Sequence, residues 1–119
     1  MRIFIRPSAD WPRDSLALAQ KRLELALGRF VGRVRSTRVR LTDLNGPRGG
    51  RDKKCLIAVR LRRPRRVIVI EDVDADAATL VSRAADRAAR AVSRAVEAAS
   101  DWRGARKPTT GTRSPRGGI

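Results

Sequence analysis

The sequence predicts an α+β domain of order β-α-β-β-β-α, a four-stranded mixed sheet with two helices packed on one face. Three observations carry this. Two long stretches, 15–31 and 75–102, repeat apolar residues at the helical period, and four shorter ones, 2–6, 34–43, 54–62 and 66–70, have the short apolar alternation or run of a strand. The first helix lies between the first two strands, a connection long enough for a parallel crossover. Loops join the later strands, which suits antiparallel neighbours. At 119 residues the chain has material for one modest core and not for two, and it shows no internal repeat.

Taken in order, Ile3 and Ile5 face one way on the first strand and Arg2, Phe4 and Arg6 the other, until Pro7 stops it. Pro12 then precedes a helix for which Asp14 or Ser15 can cap the first free amides. That helix buries Leu16, Ala19, Leu23, Ala26, Leu27 and Phe30, and Gly32 ends it. Arg22, Arg29 and Arg33, at steps of seven and four, are expected together along one of its flanks. In the second strand Val39 and Leu41 alternate with Arg38, Arg40 and Thr42, a half-buried pattern with an arginine-rich outer side. In the third, Cys55, Ile57, Val59 and Leu61 alternate with Lys54, Leu56, Ala58 and Arg60. A turn at Arg62-Arg63-Pro64-Arg65 leads to the short fourth strand, Arg66 to Ile70. Glu71, Asp72, Asp74 and Asp76 follow, assigned to the positive N-terminal end of the second helix. Residues 1–102 form the expected domain, and 103–119, rich in Gly, Pro, Thr and Arg, read as a disordered basic tail.

The second helix is the organising element. Val81, Ala84, Ala85, Ala88, Val92, Ala95, Val96 and Ala99 make its apolar face, and Arg83, Arg87, Arg90 and Arg94 fall on one stripe at steps of four, three and four. The stripe is expected to face away from the sheet, toward something anionic. Composition agrees. There are 28 Lys plus Arg against 12 Asp plus Glu, a formal net charge of +16, and the lysines are only Lys21, Lys53, Lys54 and Lys107. Guanidinium groups are permanently charged and grip phosphate with two parallel donors, so this excess suits a nucleic-acid backbone.

Several other chemistries are excluded. Histidine is absent, which removes the commonest general base and metal ligand; with one cysteine and no convincing carboxylate pair, the chain is not expected to be an enzyme or to hold a cofactor or metal. The Gly-rich loop 45–50 joins two strands and does not open a helix, so it is no phosphate-binding loop; with Arg48, Arg51, Lys53 and Lys54 it makes an RNA-touching finger instead. Asp72-x-Asp74-x-Asp76 begins like a calcium loop but has Ala77 and Arg83 where Gly and Glu are needed. Cys55 reads as a buried thiol, consistent with a reducing cytoplasm. The Ala- and Val-rich face of the second helix suits packing on a sheet and gives little energy for lying on a membrane, and no apolar run is long enough for a signal peptide or a span.

The loop and its flanks, Thr42-Asp43-Leu44-Asn45-Gly46-Pro47-Arg48-Gly49-Gly50-Arg51-Asp52-Lys53-Lys54-Cys55, resemble a signature of the ribosome hibernation-promoting factor family, also called ribosome-associated inhibitors or ribosomal subunit interface proteins. Asp76 and then Asp86-Arg87-x-x-Arg90 in the second helix fit the same resemblance, which covers about residues 1–100, and the element order agrees. It implies a cytoplasmic protein that binds the small ribosomal subunit in the channel used by messenger and transfer RNA and blocks translation under stress. In it, Arg87 and Arg90 stand where the family has basic residues facing ribosomal RNA, while Arg83 and Arg94 join them by helical geometry. Long members add a C-terminal dimerisation domain for which this chain has no room, so a short form, monomeric when free, is expected. The candidate RNA-binding set is Arg22, Arg29, Arg33, Arg83, Arg87, Arg90 and Arg94 on the helices, with Arg48, Lys53 and Lys54 at the loop. No small-molecule substrate or membrane partner is expected. The alternative is a general module for structured RNA or DNA without ribosomal specificity.

Overall fold

The structure, a computed structural model, describes the backbone of residues 1–44 and 52–106 and side chains as far as residue 100. The elements are β1 (Arg2–Pro7), α1 (Asp14–Leu27), a 3-10 turn (Gly28–Phe30), β2 (Val34–Asp43), β3 (Lys53–Leu61), β4 (Val67–Asp74) and α2 (Ala77–Arg106). The sheet order is β1-β2-β3-β4, with β1 parallel to β2 and the other two pairings antiparallel. This is the predicted β-α-β-β-β-α architecture. Arg48 and, of the expected tail 103–119, residues 107–119 lie outside the described residues.

Strand alternation decides which side the helices cover. Val39 and Leu41 on β2, Cys55, Ile57, Val59 and Leu61 on β3, and Ile68 on β4 are buried on one face. Against them lie Ala19, Leu23 and Leu27 of α1 and Leu80, Val81, Ala84, Ala85, Ala88, Val92 and Ala95 of α2. Both helices return along the sheet antiparallel to β1 and β4, so they run side by side in one direction, with Asp14 and Ala77 at the same end. Alanines at 84, 85 and 88 let α2 sit close to the sheet; each is at most 1% exposed.

Several local expectations are corrected. β4 does not stop at Ile70 but carries on through Asp74, because Cys55, Lys54 and Lys53 of β3 offer ladder partners to Asp72, Val73 and Asp74. The long helix therefore starts at Ala77 and not at residue 75, and it runs on to Arg106, past Trp102. α1 ends at Leu27 and tightens into the 3-10 turn, so the helical period does not continue to Val31. Ser15 is not a cap: its hydroxyl donates to the Pro12 carbonyl at 2.8 Å and accepts from the Trp11 indole at 2.6 Å, seating a buried tryptophan at the end of the helix layer. In β2 the register slips between Val34 and Ser36, and this extra residue puts both Val34 and Thr37 on the buried side.

Candidate nucleic-acid interface

α2 is started by Asp76. Its carboxylate accepts from the Thr79 amide at 2.9 Å and the Thr79 hydroxyl at 2.7 Å, satisfying a first-turn donor that the helix cannot. These bonds hold the Asp76 carboxyl below its usual range. Of the four acids expected to serve the helix end, only this one does. Asp72 and Asp74 point from the helix-covered side of β4 to the arginine stripe.

The stripe is therefore not on the side of α2 opposite the sheet. It runs along the flank above the edge strand β4, and its two ends differ. Arg83 spends its whole guanidinium on partners in β4, although its side chain stays partly exposed. Nε and Nη2 donate to the two Asp72 oxygens at 2.7 and 3.1 Å, Nη1 to Asp74 at 2.9 Å, and Nη2 also to the Val73 carbonyl at 3.1 Å. Arg87 donates to the Glu71 carbonyl at 3.1 Å and lies 3.3 Å from Asp72. The bidentate bond from Arg83 is the main cause that holds Asp72 down at about 2, with the Val73 amide and Arg87 adding to it against partial burial. Arg83 is correspondingly raised, first by Asp72 and then by Asp74. Arg90 and Arg94, one and two turns on, are exposed and have no acidic partner among the described residues. Arg94 and Arg66 border a shallow cavity of about 440 Å³ between α2 and β4.

The other candidates are dispersed. Arg22 is exposed on α1, but Arg29 belongs to the 3-10 turn, where its guanidinium lies 4.7 Å from the Phe30 ring centre. Arg33 follows the turn and donates to the Arg63 carbonyl at 3.4 Å, tying the β2 start to the β3–β4 turn. The expected single flank of α1 is thus broken after Arg22, because the helix ends before the second arginine. Lys53 sits 3.9 Å from Asp43 on the helix side, whereas Lys54 pairs with Glu71 at 2.8 Å on the open side of the sheet. The two loop lysines face opposite ways, as strand alternation requires.

Sequence reasoning missed a second basic region. Arg35, Arg60, Arg62, Arg65 and Arg66 surround a cavity of about 790 Å³ at one end of the sheet. Arg62 to Arg65 read as a turn and Arg66 as the start of a strand, and nothing local signals that Arg35 and Arg60 fold against them; only the pairing of β2 with β3 brings them there. Cys55 is buried, and desolvation, then the Asp72 charge, pushes its thiol up to about 12. Among the described residues no cluster of His, Cys, Asp or Glu is placed to hold a metal ion, and no helix is long and apolar enough to cross a membrane.

No family model matches the sequence, and no curated protein does. Solved structures do match. The N-terminal domain of Protein Y from Thermus thermophilus superposes with a TM-score of 0.58 at 23% identity, over 79% of this chain and 98% of that one. A ribosomal subunit interface protein from Coxiella burnetii gives a TM-score of 0.59 at 16% identity, over 79% and 96%. At such identities the likeness is one of fold. The chain has the fold of ribosomal subunit interface proteins, the family that its loop and α2 motif resemble.

Proposed function

We propose that this chain is a ribosome-associated translation inhibitor of the hibernation type, which docks on the small ribosomal subunit through the α2 flank. The observation that carries the reading is the split stripe. Arg83 and Arg87 are locked to β4 and fix the helix, while Arg90 and Arg94 project from the same rigid line with no acidic partner among the described residues. Guanidinium groups held at fixed spacing on a helix suit the phosphate geometry of folded RNA and do not read base sequence. Arg22 on α1 and Lys53, Lys54 and Arg48 near the loop are the secondary contacts of this reading. The fold shared with ribosomal subunit interface proteins supports it, and the family resemblance supplies the subunit.

The test is Arg90→Glu with Arg94→Glu, measured by co-sedimentation with small subunits. These two are chosen because neither holds the fold, whereas reversing Arg87 would set a carboxylate beside Asp72. Association should be lost, and in the single variants the log–log salt dependence of binding should flatten by about one for each arginine removed. Undiminished co-sedimentation of a folded double variant would sink the assignment of the site. Displacement by any duplex RNA as readily as by ligands of the decoding channel would favour a general structured-RNA module.

A further inference from the structure

The sheet face that the helices leave open is the least explained surface of the molecule. Strand pairing lines up Phe4, Arg38, Ala58 and Val69 across it in one row and Arg6, Arg40, Leu56 and Glu71 in the next. Arg6 and Arg40 are direct register partners on the same face, a like-charge arrangement that costs stability in a sheet. Glu71, the carboxylate that β4 places at the end of the Arg6–Arg40 row, is already paired with Lys54 at 2.8 Å. Phe4 stands 44% exposed among these arginines, with the Arg38 guanidinium 5.5 Å from its ring centre. Toward β4 the face turns apolar, with Val67 and Val69 half or more exposed. Phe4, Arg6, Arg38, Arg40, Leu56 and Ala58 shape a hollow of about 560 Å³. At the end of the sheet Arg60 leads into the arginine-walled cavity, whose lining has no acid among the described residues.

We propose that this open face is a second nucleic-acid site, specific for single-stranded RNA, on the side of the molecule away from the α2 flank. The arginines of β1 and β2 and those of the end cavity take phosphates, and the Phe4 ring and the apolar strip beyond it take the flat faces of bases. A duplex would satisfy the charge but keeps its base faces stacked inside, leaving Phe4 and the valines unused. An acidic protein would likewise meet the arginines without needing an aromatic. Only an unstacked strand matches both halves of the surface. The two sites would let the protein hold folded RNA with its helices and a free strand with its sheet.

Fluorescence anisotropy of the intact chain with a short labelled oligouridylate tests this, with an RNA hairpin of equal length and polyglutamate as competitors. Phe4→Ala should weaken oligouridylate binding by at least about five-fold, the lower end of what one base–aromatic stack contributes. Phe4→Leu, which keeps apolar bulk and so the fold, should weaken it in the same direction. Arg38→Glu with Arg40→Glu should abolish it. Arg90→Glu with Arg94→Glu, on α2, removes the same number of charges and should weaken it clearly less than the sheet variant does. Equal losses from the α2 and sheet variants would overturn the proposal in favour of a generic polycation. So would indifference to both Phe4 substitutions, and so would displacement by polyglutamate better than by the unlabelled strand, which would point to an acidic protein partner. Small-subunit co-sedimentation of the Phe4 and Arg38 variants is read separately, so failure here is distinct from failure of the α2 site.

Discussion

At Asp72 a single carboxylate connects strand, helix and candidate site. It receives two bonds from Arg83 and the approach of Arg87, and its side chain is 16% exposed against 41% for each arginine, so the acid is the more enclosed partner. Its depressed pKa has a definite sign. The contribution is complete above the ordinary carboxylate range near 4 and is lost as pH falls toward about 2, where the folded-state carboxylate takes up its proton. Asp74 and Asp76, also lowered, add to the loss in the same direction. Urea-denaturation midpoints measured from pH 5 downward should therefore fall, and Asp72→Asn should start lower and fall less steeply. Cys55 makes the opposite kind of prediction. Buried, and with its pKa near 12, the thiol should ignore a disulfide reagent at pH 8 in the native protein and react at once when unfolded; rapid native-state labelling would contradict the burial.

At the scale of elements, α2 determines how the helix layer meets the sheet, and its alanines are as consequential as its arginines. Ala88 is wholly buried, so Ala88→Leu has no free volume to enter and should cost about 1–3 kcal/mol by thermal or urea unfolding. Leu80→Ala, at the start of the same face and equally buried, should cost about 2–5 kcal/mol. This face was legible from the sequence because period 3.6 survives over the whole helix: Val81, Ala84, Ala85, Ala88, Val92 and Ala95 are all in the core. So were the strands and their parallel and antiparallel pairings. What was not legible depended on partners distant in sequence. Asp72 and Asp74 look like helix-start residues until β3 pairs with them and draws them into a strand, and Arg83 then becomes internal glue. Arg29 and Arg33 look continuous with Arg22 until α1 tightens at Gly28. The arginine cavity at the sheet end needs Arg35 and Arg66 to meet, and no spacing rule reports that.

Over the whole molecule, the excess of positive charge is divided between two sides of one thin two-layer fold. The helix layer shows a flank whose acids neutralise one half and leave Arg90 and Arg94 outside; the open sheet sets Arg6 beside Arg40, with Glu71 in their row already paired to Lys54. A formal charge of +16 on 119 residues repels itself, and a polyanion on either side relieves that repulsion. Binding to folded RNA through about six phosphates should therefore weaken steeply with salt, by a log–log slope of about five. A slope near zero would mean that apolar contact, and not charge, holds the complex.

The central claim, docking on the small ribosomal subunit, is tested most directly by co-sedimentation of the purified protein with small subunits, large subunits and whole ribosomes at low and at moderate salt. The account predicts stoichiometric binding to small subunits and whole ribosomes that survives moderate salt. Weak binding to both subunits alike, vanishing as salt rises, would contradict it and leave a basic protein that shares a fold with ribosomal subunit interface proteins and not their site.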